Sequence, residues 1–293
     1  MLSPELLRRV RRTFLRTQRR VSTLMAGEYR SAFRGAGVEF EEVREYHPGD
    51  DVRTIDWNVT ARMRRPHVKR YREERELEVW LLVDLSGSSV FGTGAAPRRE
   101  TMVEAAALLA FTAVHSNDRI GAVLYSDRLE GFFPCRKGTA QIWRIVRAAS
   151  SCEPRGKGTD LAGALRLLRG VARRGAVVFL VSDFLDHGCA PALAAAARRH
   201  DLVGVVVSDP GDLTLPGGGL VRARDIETGA RLLIDTSTPD RAAAVAARLR
   251  ARHDRSLRML RAAGADVVEL STAGPLAEPL ESFFRERERR RSR

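Results

Sequence analysis

Asp84, Ser86 and Ser88 stand at alternate positions, D-x-S-x-S, at the end of an apolar run, Leu77-Glu78-Val79-Trp80-Leu81-Leu82-Val83. A run of this length and content is expected to form a strand buried on both faces. The residues that follow it are a carboxylate and two hydroxyls, with Gly87 between the serines. Open α/β sheets place their ligands beyond the carboxyl ends of strands. Three oxygen donors without nitrogen or sulfur suit a hard divalent cation such as Mg2+. The same residues equally suit a strand-to-helix turn in which Asp84 and the serines cap the next helix. The three residues alone leave these two readings level.

Two distant segments bear on the choice. Gly156-Lys157-Gly158-Thr159-Asp160 precedes an amphipathic helical pattern over 161–172 and supplies a hydroxyl at Thr159. Val177-Val178-Phe179-Leu180-Val181-Ser182-Asp183 is a second buried-strand pattern ending in a carboxylate. D-x-S-x-S, a loop threonine and a strand-end aspartate together resemble the five-residue pattern of a metal-ion-dependent adhesion site. This part of the chain is therefore similar to a von Willebrand factor A domain. The resemblance implies that Asp84, Ser86, Ser88, Thr159 and Asp183 hold Mg2+ or Mn2+. In that fold the hydroxyls approach the metal and the aspartates act directly or through water. An exchangeable position is left facing solvent, where a partner's Asp or Glu could coordinate.

The elements needed to position such residues can be read along the chain. Helical patterns cover 100–115, 140–149, 190–199 and 241–263, and strand patterns cover 118–125, 201–207 and 266–270. Residues 126–136 read as a hairpin edge, and 220–226 with 230–235 as a hairpin inserted at the sheet edge. Strands alternating with helices imply an α/β fold with a doubly wound, mainly parallel sheet. The expected organisation is a basic N-terminal helix over 1–26, a charged β-rich or irregular segment over 27–76, the von Willebrand factor A-like domain over 77–274, and a frayed basic tail over 275–293.

The segment 27–76 carries Tyr46, Pro48, Gly49, Asp50, Asp51, Arg53, Ile55, Asp56 and Trp57, then Ala61, Arg62, Pro66, Val68, Lys69, Tyr71, Glu73, Glu74 and Arg75. This string resembles the domain of unknown function 58 family, in which Y-x-P-G-D-D-x-R-x-I-D-W and V-K-x-Y-x-E-E-R precede the D-x-S-x-S. The resemblance spans about 27–270. It implies a MoxR-type AAA+ ATPase, a client protein presenting an acidic residue, or both as partners, with this chain an adaptor or cofactor in remodelling or maturation of the client. Asp56, Trp57 and Arg62 are expected to pack within the segment, while Arg53 and Lys69 could face a partner.

Composition narrows the alternatives. The 293 residues are 44% hydrophobic, enough for a sizeable core, and carry a formal net charge of +13. Only three of the 50 basic residues are lysines, and no nucleic-acid reading module accompanies the charge, so a nucleic-acid partner is not expected. No apolar run approaches the roughly 18–20 residues that span a bilayer. Met1 to Arg20 lacks the apolar segment of a signal peptide, so a cytoplasmic location is expected. Cys135, Cys152 and Cys189 are odd in number and widely spaced, which suggests neither disulfides nor zinc. His187 beside Cys189 reads as an ordinary loop pair. Pro97 and Ser151 occupy positions where dinucleotide and phosphate loops require glycine. The expected function is a metal-dependent protein-interaction module and not an enzyme. The alternatives are a metal-assisted phosphohydrolase or nuclease, and a structural scaffold with a vestigial metal site.

Overall fold

The computed structural model describes residues 23–33, 39–72, 76–93, 97–186, 188–215, 218–227 and 229–291. It divides into a small unit, 33–77, and a large unit made of the chain up to 32 and from 78 onward. Residues 1–22, and with them most of the expected basic helix, lie outside the described residues; α1 (Thr23–Ala32) is helical.

The small unit holds β1 (Glu39–Glu45), α2 (Trp57–Met63) and β2 (His67–Arg72), with β1 and β2 antiparallel. Its acidic residues are used locally. Asp50 accepts two hydrogen bonds from the Arg44 guanidinium, at 2.9 and 2.6 Å, and one from the His47 amide at 2.9 Å. Asp51 caps a single 3-10 turn over Val52–Thr54. Asp56 accepts from the amides of Asn58 and Val59 at the start of α2. A helix was not expected in this β-branched and charged stretch; the Asp56 cap supplies the orphan-donor satisfaction that starts one. Asp56 is thus a cap. Trp57 is 71% exposed and Arg62 is exposed, so neither packs in a core as expected. Arg53 is exposed, and the Lys69 side chain lies outside the described residues.

The large unit continues with β3 (Glu78–Asp84), α3 (Arg98–His115), β4 (Arg119–Tyr125), β5 (Leu129–Arg136), α4 (Thr139–Ser151), α5 (Leu161–Val171) and β6 (Val177–Ser182). It closes with α6 (Ala190–Ala197), β7 (Asp201–Ser208), β8 (Leu220–Arg224), β9 (Arg231–Asp235), α7 (Pro239–Ala262), β10 (Asp266–Ser271) and α8 (Ala277–Arg291). The main sheet runs β10-β7-β6-β3-β4-β5, parallel except for β5. This is the expected doubly wound, mainly parallel fold. From β3 the chain winds outward through β4 and β5, then returns to β6 on the other side of β3. The winding reverses at β3 and β6, and their carboxyl ends define the crevice where such sheets bind ligands. One face of the sheet packs Trp80, Leu82, Val178, Leu180 and Val206 against Leu165, Leu168, Leu193 and Leu260 of the helices.

Two boundaries differ from expectation. The hairpin β8–β9 is not an edge of the main sheet but a two-stranded sheet of its own. The C-terminal tail is not frayed. Leu280, Phe283, Phe284 and Arg287 recur at helical spacing and are buried, and α8 docks on α1. Tyr29 meets Phe284 edge-on with ring centroids 5.6 Å apart. The Arg287 Nε donates to the Ala32 carbonyl at 3.1 Å, and its guanidinium pairs with Asp201 and Asp266. The abundance of arginine in this stretch hid its apolar stripe. Residues 27–32 thereby belong to the large unit and not to the segment that follows them. No helix among the described residues is long and apolar enough to cross a membrane. Truncation of a buried aromatic costs about 3–5 kcal/mol, so Phe284→Ala is expected to lower the urea midpoint of unfolding. A frayed tail would leave that midpoint unchanged.

Candidate functional site

The site begins where β3 ends. Asp84 is fully buried between two neighbouring strands, and its two oxygens are held by neutral donors. The Ser86 amide donates to Oδ1 at 2.8 Å, and the Ser182 hydroxyl, at the end of β6, donates to Oδ2 at 2.7 Å. The chain then turns through Gly87–Val90. Neither serine hydroxyl caps a helix: the Ser86 and Ser88 hydroxyls lie 3.1 Å from one another, and α3 starts only at Arg98. The capping alternative for D-x-S-x-S is therefore not what the fold uses.

The Thr159 loop is hooked onto this turn. The Gly87 amide donates to the Lys157 carbonyl at 2.9 Å. A side chain at Gly87 would meet that carbonyl at 3.0 Å and the Ile226 side chain at 3.1 Å, which explains the glycine. The loop itself is shaped by carboxylates: Glu130 accepts from the amides of Arg155 and Gly156 at 2.9 and 3.1 Å. Asp160 caps α5 by accepting from Gly163 at 2.7 Å. Thr159 is left with its hydroxyl free of the helix, and it donates to Glu227 Oε1 at 3.0 Å.

Asp183 follows Ser182 and is 7% exposed. Its Oδ2 accepts from Arg98 at 2.5 Å. Arg98 opens α3, is 1% exposed, pairs also with Asp212 and donates to the Ser88 carbonyl at 3.2 Å. The five residues expected at the site thus gather at the carboxyl ends of β3 and β6 and in the adjoining Thr159 loop. Sequence reading missed Arg98, Ser182, Asp212 and Glu227. Ser182 was visible as the neighbour of Asp183; an arginine starting a helix and a glutamate in a hairpin turn carry no such signal. Cys189 is buried in the apolar core, and His187 lies outside the described residues.

Charge is unevenly satisfied here. Asp183 has a guanidinium, but among the described residues none pairs with Asp84. Burial, with the charge of Asp183 next, raises the Asp84 carboxyl from 3.8 to about 7. Glu227 is raised as well, chiefly by burial; the Thr159 hydroxyl opposes the rise and the charge of Asp183 adds to it. No three histidine, cysteine or carboxylate groups among the described residues are placed to hold a metal together. A cation here would rely on the hydroxyls of Ser86, Ser88 and Thr159 with the carboxylates, a hard, all-oxygen donor set that fits Mg2+ or Mn2+. A buried carboxylate paired with no cationic side chain is costly, and a bound cation would offset that cost.

The family model for proteins of unknown function DUF58 matches residues 42–255. The chain belongs to the DUF58 family. Uncharacterized proteins of Mycobacterium tuberculosis (Rv1480) and Mycobacterium bovis (Mb1516) are each 35% identical to this DUF58 protein over 275 residues, 92% of this chain and 86% of theirs. Among solved structures it is similar to the conserved hypothetical protein BatB of Bacteroides thetaiotaomicron, at 16% identity and a TM-score of 0.47, over 73% of this chain and 99% of that one. The SpRpn10 VWA domain matches at 10% identity and a TM-score of 0.43, over 70% of this chain and 94% of that one.

The raised Asp84 carboxyl sets a pH dependence. The folded protein holds this proton more tightly than the unfolded chain does. The resulting stability is fully present below about pH 4 and is lost as the pH rises to about 7. Asp84→Asn is permanently neutral. In EDTA it is expected to melt above the wild type at pH 8, with the gap narrowing steadily toward pH 5. Thermal melts across that range check this; a gap independent of pH would contradict it.

Proposed function

We propose that this DUF58 protein is a metal-dependent protein-interaction module. Its cation is held by Asp84, Ser86, Ser88 and Thr159, with Asp183 beside them, and its exchangeable position takes a carboxylate from a partner. The observation that carries the reading is Asp84: a fully buried carboxylate held by neutral donors and paired with no cationic side chain, beside three hydroxyls at the reversal point of the sheet. Mg2+ keeps exchangeable waters readily and accepts oxygen from outside the chain. Family resemblance supplies the partner class, a MoxR-type AAA+ ATPase acting with this protein on a client that presents an Asp or Glu. The reading is non-enzymatic: it gives the carboxylates to the cation and asks no bond-breaking of them.

One observation favours a second reading. Arg98 is itself a buried cation, shared between Asp183 and Asp212. With Arg98 as the resident charge the site needs no metal, and the protein is a scaffold.

Calorimetric titration with Mg2+ and Mn2+ separates the two. The interaction reading expects saturable binding by the wild type and none by Asp84→Ala. Capture of the candidate ATPase should then depend on Mg2+ and vanish in EDTA. A wild type that binds neither ion would leave the Arg98 scaffold as the account.

A further inference from the structure

The β8–β9 hairpin brings to the site one carboxylate that the five expected residues do not include. Its turn is shaped locally: the Asp225 amide donates to the Ala230 carbonyl at 2.8 Å, and the Glu227 amide donates to the Asp225 carboxylate at 2.9 Å. The turn lies directly over the D-x-S-x-S loop, with Ile226 against the open side of Gly87. Glu227 accepts the Thr159 hydroxyl at 3.0 Å. Thr159 belongs to the expected cation set, and Ile226, next to Glu227, meets Gly87 between the two serines of that set. Among the described residues no lysine or arginine forms an ion pair with Glu227.

We propose that Glu227 is an internal carboxylate ligand of the cation site, filling the position that an outside carboxylate would take, so that a partner docks by displacing the hairpin turn. This rests on the cation reading above. Glu227 on the Thr159 hydroxyl and Asp84 on the Ser86 amide are two carboxylates on adjoining loops, each held by neutral donors. A divalent cation between them turns mutual repulsion into attraction. The hairpin is built so that its turn can leave. Among the described residues its strands pair with one another and with no strand of the main sheet, and Leu220, Leu232 and Leu233 on them are exposed, so withdrawing the hairpin breaks no hydrogen bond of the main sheet. A glutamate fixed on the same chain competes at high effective concentration. If it fills the position for about nine-tenths of the time, an outside carboxylate binds about tenfold more weakly than to an open site.

Water-proton relaxation by Mn2+ bound to the full chain tests this, because the bound ion's relaxivity follows its number of exchangeable waters. Glu227→Gln removes the charge at nearly constant size, and Glu227→Ala removes every oxygen of the side chain. Acetate serves as the outside carboxylate. Both variants are expected to bind Mn2+ with higher relaxivity than the wild type, and acetate should quench that relaxivity at about tenfold lower concentration. Unchanged relaxivity and acetate response in variants that still bind Mn2+ would overturn the proposal and leave the cation site standing. Loss of Mn2+ binding in both variants, at wild-type melting temperature, would overturn it too, making Glu227 an obligatory ligand rather than a displaceable one. A wild type that binds no Mn2+ removes the cation reading, and this proposal with it.

Discussion

A carboxylate buried away from solvent, and paired with no cationic side chain among the described residues, ends the central strand, and the loops at that end are arranged around it. Asp84 is carried into the interior by six preceding residues of β3, whose parallel neighbours cover them on both sides. The Ser86 amide and the Ser182 hydroxyl orient it without neutralising it. Burial of an unpaired charge costs several kcal/mol unless the group takes up a proton or a counter-charge arrives.

The rest of the site keeps the carboxylates apart and in place. Arg98 balances Asp183 and Asp212 and ties the start of α3 to the ends of β6 and β7. The Thr159 loop is fixed at Gly87 by a backbone hydrogen bond and at Glu130 by two more. These contacts hold the hydroxyls of two separate loops, Ser86 and Ser88 on one and Thr159 on the other, close together within the fold. The hairpin differs in kind. It belongs to no larger sheet and touches the site through its turn, where Glu227 meets Thr159.

Much of this was legible in the sequence, because strand burial and loop chemistry are local properties. The apolar runs before Asp84 and Asp183 specified two parallel strands, and helices between them specified the winding. The five expected site residues could be named because D-x-S-x-S, a loop threonine and a strand-end aspartate resemble the adhesion-site pattern; the residues alone left capping and metal binding level. Arg98 could not be, since a buried arginine is known only by the acids that fold against it from distant segments. Glu227 was hidden for the same reason: its turn reads as an ordinary hairpin, and its partner Thr159 is remote in sequence. The helix α8 was lost under its arginines, although Leu280, Phe283, Phe284 and Arg287 carry the spacing. Trp57 shows the converse error, a large aromatic taken for core that stands exposed beside a capped turn.

The central claim, that this polar cluster is a cation site, is tested most directly by crystals grown with Mn2+ and measured at the manganese absorption edge. The account predicts one anomalous peak at the carboxyl end of β3, about 2.0–2.3 Å from the Ser86 and Ser88 hydroxyl oxygens. A map without a peak there, in crystals whose Asp84 still rests on Ser86 and Ser182, would contradict it and leave Arg98 as the only positive charge the site employs.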